Sequence, residues 1–174
     1  MPLALSRGIW RAKSLSMQGK SEGFVREFAL FDEAGTRALG ARIAAGLKSG
    51  DAVALSGDLG AGKTVLARGI LEGLGVSEPV PSPTFTLVQH YDTPRLPVEH
   101  FDLYRVEAES ELDQLGLEDA LAFGAALIEW PEKAGARLPE DALHVELEAT
   151  GENNRRAKLF GPGRWAPYFP EGIS

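Results

Sequence analysis

The spacing of apolar residues changes period several times along this chain, and each change marks an element. Arg26-Glu-Phe-Ala-Leu-Phe31 reads as a first strand, and Asp32 stands where a helix N-cap belongs. Leu39, Ile43 and Leu47 then fall on one face of a helix that ends near Gly50. Ala52-Val-Ala-Leu-Ser56 is a short apolar run of the buried-strand kind, and Val65, Leu66, Gly69, Ile70 and Leu74 return to helical spacing. The three prolines of Glu78-Pro-Val-Pro-Ser-Pro83 impose an extended loop. Thr84 to Tyr91 alternates, as does Val98 to Tyr104, and the turn between them (Pro94, Pro97) predicts an antiparallel hairpin. Ser110 is positioned to cap a helix carrying Leu112 and Leu115, which Gly116 interrupts before Leu117, Ala120 and Leu121. Ala125-Ala-Leu-Ile128 is a buried strand running into Glu129-Trp130-Pro131. A second hairpin is predicted from His144–Ala149 and Ala157–Phe160 around Gly151-Glu-Asn-Asn154.

Strands alternating with helices and then pairing with one another define an α/β fold. Between the strand from Ala52 and the helix after it, Gly57 to Thr64 fits G-x-x-x-x-G-K-[ST], so we expect a single P-loop NTPase-like domain whose central sheet mixes parallel and antiparallel strands, flanked by helices and antiparallel in its middle. The pattern assigns residues 1–25 to a flexible basic extension, 26–160 to the domain, and 161–174 to a Pro/Gly-rich tail with Trp165, Tyr168 and Phe169.

Composition narrows the chemistry. With 174 residues the chain suits one domain with a sizeable core. It has no cysteine, which excludes disulfide and thiolate chemistry, and His90, His100 and His144 are too dispersed for a metal cluster. The formal charge is −7, although Arg7, Arg11, Lys13 and Lys20 precede the first acid. The remainder is therefore more acidic than the whole, and such a body is a poor autonomous binder of nucleic acid. If RNA is involved, a partner holds it. No apolar run approaches a membrane span, and the first residues lack the apolar stretch of a secretory signal. The Arg/Ser-rich start shares a bias with transit peptides. A disordered tail, or a true start at Met17, accounts for it more simply, and a cytoplasmic location is expected.

Gly57-Asp58-Leu59-Gly60-Ala61-Gly62-Lys63-Thr64 carries the most information. It matches G-x-x-x-x-G-K-[ST] between a predicted strand and a predicted helix, the context a phosphate cradle requires. Backbone N–H groups turn inward there and the helix N-terminus adds its positive dipole end. Lys63 would reach the β- and γ-phosphates and the Thr64 hydroxyl would ligate Mg²⁺. GTPases read guanine with Asn-Lys-x-Asp, and the chain contains no Asn-Lys pair, so ATP is the better candidate. Hydrolysis needs a further carboxylate at the end of a buried strand. Glu129 fits best for metal and water, and Asp102, in His100-Phe-Asp-Leu-Tyr-Arg105, competes with it. Ser82 and Thr84 lie on the proline-constrained loop, where a hydroxyl could sense a γ-phosphate. Trp130 either packs on the nucleotide or belongs to the core. Arg105 suits an exposed ion pair better than a transition-state role.

Four blocks in this order, the phosphate loop, Ser82-Pro-Thr-Phe-Thr-Leu-Val88, His100-Phe-Asp-Leu-Tyr-Arg105 and Ile128-Glu-Trp-Pro131, closely resemble the bacterial TsaE (YjeE) family over about residues 26–160. The resemblance implies a weak ATPase using ATP and Mg²⁺. It would serve tRNA threonylcarbamoyladenosine synthesis with a TsaB–TsaD pair, touching tRNA only through those partners. It also implies that Lys63 holds phosphates, Thr64 and Glu129 organise Mg²⁺, and Asp102 belongs to the hydrolytic or coupling site. Ser82 and Thr84 would lie on a switch-like loop, and Thr36 near the adenine. Val65 departs from members that carry a second threonine, while the metal-binding hydroxyl is kept. Two other classes use the same loop: a small-molecule kinase, for which no clustered arginine lid is visible, and a binding module gated by nucleotide without turnover.

Overall fold

A computed structural model describes residues 23–171. In chain order these form β1 (Gly23–Leu30), α1 (Glu33–Gly46), β2 (Ala52–Ser56), α2 (Lys63–Gly73), β3 (Val88–Asp92), β4 (Pro97–Asp102), α3 (Ser110–Leu115), α4 (Leu117–Phe123), β5 (Ala125–Glu129), β6 (Leu143–Ala149) and β7 (Arg155–Pro162). Short 3₁₀ segments follow β5 (Pro131–Arg137) and β7 (Gly163–Tyr168).

The described residues build a seven-stranded sheet in the order β1-β7-β6-β2-β5-β4-β3. Strands β6, β2, β5 and β4 are mutually parallel, whereas β1–β7–β6 and β4–β3 pair antiparallel. Both hairpins read from the sequence are present. The β3–β4 hairpin is central in the chain but lies at one edge of the sheet, so the middle of the sheet is parallel and not antiparallel. Burial explains this. Strands β2 and β5 are apolar on both faces and need cover on both sides, as interior parallel strands do, while β3 is largely exposed.

That cover is supplied by two cores. Leu127 and Val53 face the larger one, with Ile43, Leu66 and Ile70 from α1 and α2. Ala126 and Ile128, one residue out of phase, face the second, with Leu112 and Leu117 from α3 and α4. Helices α1 and α2 approach backbone to backbone. A Cβ on Gly40 would stand 2.7 Å from the Gly69 carbonyl carbon, and one on Gly69 would stand 2.6 Å from the Arg37 carbonyl oxygen.

Several boundaries move. Strand β1 begins at Gly23, three residues into the segment assigned to the extension, because Gly23 to Val25 pair with Pro162 to Phe160. Residues 1–22 of that extension lie outside the described residues. The aromatic tail is part of the core: Trp165 and Phe169 are fully buried, and Phe169 packs on Phe24 and Phe28 with ring centroids 5.9 and 5.8 Å away. Burying such side chains stabilises by about 2–3 kcal/mol each, which outweighs the weak local preference of a Pro/Gly-rich segment. The strand expected from Thr84 starts at Val88 instead. Leu87 N–H bonds the Pro83 carbonyl at 2.7 Å and Leu87 has φ +63°, so the preceding residues turn.

Asp32 caps α1 as expected, accepting from Gly35 N–H at 2.7 Å, but the helix stops at Gly46. Ser110 is not a cap. It is the first residue of α3, and the Glu111 carboxylate takes the Glu107 and Ala108 N–H groups instead. Gly116, at φ +77°, separates α3 from α4.

At the β3–β4 edge His90 sits opposite Glu99, with Nδ1 2.5 Å from that carboxylate and Nε2 3.0 Å from Asp92. The hydrogen bond to Glu99, then that to Asp92, raises the His90 pKa above its ordinary 6.5. The protonated form favours the fold, so its contribution is complete below about pH 6.5 and fades as pH rises through the raised pKa. A His90→Gln variant should therefore melt below wild type at about pH 6 and converge with it above about pH 9 in thermal unfolding curves. A constant gap would remove the ion pair from the account.

Candidate functional site

The carboxyl ends of β2, β5 and β4 meet on one side of the sheet, where open α/β folds place their ligands. Register aligns Leu55 with Glu129, and Glu129 with Asp102, so both carboxylates emerge side by side. A cleft of about 330 Å³ opens above them. The loop from Gly57 to Gly62 forms one wall. Gly57 has φ +144°, and a Cβ there would stand 2.4 Å from the Leu147 carbonyl oxygen. Gly62 enters α2 at φ +107° with open space around it, so its requirement is conformational, not steric.

Lys63 is 5% exposed. Its ammonium donates to the Gly57 and Asp58 carbonyls at 2.5 and 2.9 Å and lies 4.0 Å from the centre of the Trp130 ring. Burial lowers the Lys63 pKa, against the opposing pull of the Glu129, Glu132, Asp102 and Asp58 charges.

Glu129 is 3% exposed and accepts from two directions. His100 Nε2 donates to Oε1 at 2.8 Å, and the Thr64 hydroxyl donates to Oε1 at 3.0 Å and Oε2 at 3.3 Å. The donated proton leaves the Thr64 oxygen lone pairs free. A hydroxyl and a carboxylate joined this way are hard oxygen donors of the kind that would suit Mg²⁺. The residues present therefore fit a magnesium nucleotide. Asp102 belongs to a second network. Thr84 Oγ1 lies 3.3 Å from Oδ2, Ser82 Oγ lies 2.6 Å from Thr84 Oγ1, and Oδ1 accepts from Tyr104 N–H at 3.1 Å. The proline loop is thus pinned to the end of β4.

The structure gathers Leu59, Gly60, Gly62, Lys63, Thr64 and Val65 with Ser82, Thr84, Asp102, Glu129 and Trp130 around this cleft. Asp58 and Ala61 do not line it and contribute through the loop backbone. Thr36 is not at the cleft either; it is buried in the first turn of α1, with Oγ1 3.4 Å from the Asp32 carbonyl oxygen. Sequence reasoning gave no role to His100, beyond its being too far from the other histidines for a metal cluster, or to Tyr104, whose ring lies 4.9 Å from Trp130. The signal for His100 was available. It precedes Asp102 by two positions on a strand, so the two share a face. Arg105 also reaches the cleft and stands over the Phe85 ring at 5.2 Å, with no ion pair among the described residues. The two non-glycine residues with positive φ among those described, Leu87 (+63°) and Trp130 (+58°), flank the two networks. Backbone strain concentrated there is typical of ligand sites.

Fold and cleft together define a phosphate-loop α/β protein. The model of the family described as "Threonylcarbamoyl adenosine biosynthesis protein TsaE" matches residues 30–157. The chain is 41% identical over 140 residues to the tRNA threonylcarbamoyladenosine biosynthesis protein TsaE of Bacillus subtilis, covering 80% of this chain and 87% of that one. It is 40% identical over 139 residues to the protein so named in Mycobacterium tuberculosis, covering 74% and 82%. The crystal structure of Bacillus subtilis YdiB superposes with a TM-score of 0.68 at 29% identity, covering 88% of each chain. The chain belongs to the TsaE family.

Removing the His100 donor should leave the buried Glu129 carboxylate under-satisfied. We expect His100→Phe to lose about 1–3 kcal/mol of stability in urea unfolding, and a His100→Phe/Glu129→Gln double variant to recover part of it. Strict additivity of the two changes would show that the contact carries no energy.

Proposed function

We propose that this protein binds ATP with Mg²⁺ and hydrolyses it, as the ATPase subunit required for threonylcarbamoyl modification of the adenosine beside the tRNA anticodon. In this reading it acts with a TsaB–TsaD pair, and turnover of ATP drives or resets the transferase cycle. The observation that carries the proposal is the Thr64–Glu129 hydrogen bond, which joins the phosphate-loop helix to a buried carboxylate at a strand end. The named function of the family's members supplies the pathway.

Each side chain then has a task. The loop amides and Lys63 bind the phosphates, Lys63 exchanging its carbonyl partners for phosphate oxygens. Thr64 and Glu129 would hold the metal, which would supply charge neutralisation at the β- and γ-phosphates. Glu129 and Asp102 are the carboxylates placed to orient water, and Asp102 ties that step to the Ser82–Thr84 loop. Trp130 closes the wall beside Lys63. The acidic net charge leaves tRNA to the partners. No helix among the described residues is long and apolar enough to cross a membrane, and a cytoplasmic site of action fits tRNA modification.

Glu129→Gln should keep ATP affinity in calorimetry while hydrolysis falls about a hundredfold or more, and Lys63→Ala should weaken ADP binding itself. Wild-type turnover should be slow and rise when the TsaB–TsaD pair is added. Normal turnover in Glu129→Gln would dismiss that residue's role. Failure to associate with the pair, together with a phosphorylated metabolite among the products, would replace this reading with a kinase.

A further inference from the structure

Arg155 opens β7 directly after the turn that joins it to β6, and it lies outside the cleft. Its guanidinium nevertheless reaches the phosphate loop from behind. Nε donates to the Ala61 carbonyl at 3.0 Å and Nη2 to the Gly60 carbonyl at 3.2 Å. The remaining nitrogen, Nη1, donates to the Asn154 carbonyl at 2.9 Å and to those of Gly151 and Glu152 at 3.3 Å. One planar fork thus links two adjacent loop carbonyls to the hairpin turn. The same hairpin meets the start of the loop, where Gly57 abuts the Leu147 carbonyl.

Arg156, next in sequence, pairs with Glu148, whereas Arg155, like Arg68 and Arg95, bonds backbone carbonyls and has no carboxylate partner among the described residues. A cation without a counter-charge is thereby kept behind a loop that contributes to an anion site, in a protein of net charge −7.

We propose that Arg155 is a positioning residue for phosphate binding: it grips the Gly60 and Ala61 carbonyls from outside and so presets the loop that faces the nucleotide. This rests on the nucleotide-binding reading above. The physical basis is preorganisation. Amide dipoles aligned side by side repel one another, and a loop free to rotate its peptides would have to be reordered by each incoming phosphate. A fork holding the carbonyls removes much of that cost before binding. Geometry matters as much as charge, because an ammonium cannot bridge two carbonyls and a turn at fixed angles.

The test uses the full chain with wild type, Arg155→Lys and Arg155→Met. It measures Mg²⁺-ADP binding by calorimetry, steady-state ATP hydrolysis, amide hydrogen exchange over residues 57–62 without nucleotide, and urea unfolding. We expect the ADP dissociation constant of Arg155→Met to rise about tenfold, the scale of one charge-assisted contact, with KM for ATP rising in step and kcat changing less than about twofold. Loop amides should exchange faster in both variants, and Arg155→Lys should recover only part of the affinity. If Arg155→Met does not fold, Arg155→Lys decides by the same affinity and exchange readouts. Lower unfolding stability with unchanged ADP affinity and unchanged loop exchange would make the contact merely structural and overturn the inference alone. A wild-type chain that takes up no ADP would overturn the nucleotide-binding reading and this one with it.

Discussion

A carboxylate almost wholly buried at the end of β5, where it meets the cleft, sets the terms for the rest of this molecule. Removing a charge from solvent costs several kcal/mol unless donors replace the lost water, and Glu129 obtains them from two other elements. His100 approaches from β4 and Thr64 from the first turn of α2. Both can arrive only if β4 and β2 flank β5 in parallel, with all three carboxyl ends on one side. The sheet order supplies that arrangement, and the two cores that bury β2 and β5 on both faces hold it in place.

From that anchor the cleft divides into parts held in different ways. Glu129, His100, Thr64 and Lys63 are tied to buried strands and a helix packed closely against α1. The Ser82–Thr84 segment, by contrast, meets the sheet end through side-chain contacts to Asp102 at the tip of β4. Its boundary residue, Leu87, holds a left-handed backbone without being glycine. The backbone on either side is held as well, with Arg68 Nε donating to the Val80 carbonyl at 2.7 Å and Asp102 N–H to the Leu87 carbonyl at 2.9 Å, so the loop is fastened through its flanking backbone as well as at Asp102.

The sequence made the central unit legible because strong local rules converge there. An apolar strand, a glycine pattern and a helical period all demand the same geometry at Gly57–Thr64, and the four apolar residues before Glu129 place it ahead of Asp102 as the carboxylate at a buried strand end. Reading failed where contacts distant in the chain decide. Trp165 and Phe169 lie in a Pro/Gly-rich stretch with no period of its own, and only β1 and α1 reveal them as core. Thr84 to Leu87 alternates like a strand, yet a bond to Asp102 and a turn at Pro83 hold it apart from the sheet. His100 was discounted because dispersed histidines form no metal cluster, although a lone histidine can still serve a buried carboxylate. The position of the β3–β4 hairpin at the sheet edge is a fact of topology, which pairing signals alone do not specify.

The placement of Trp130 gives the protein an optical property of its own. An ammonium 4.0 Å from an indole ring imposes a strong local field on the excited state, and this indole is partly exposed at the wall of the cleft. Trp165, by contrast, is fully enclosed and does not line the cleft. Moving the Lys63 charge off the ring and onto a bound anion would alter the colour and intensity of Trp130 emission, a signal that needs no attached dye.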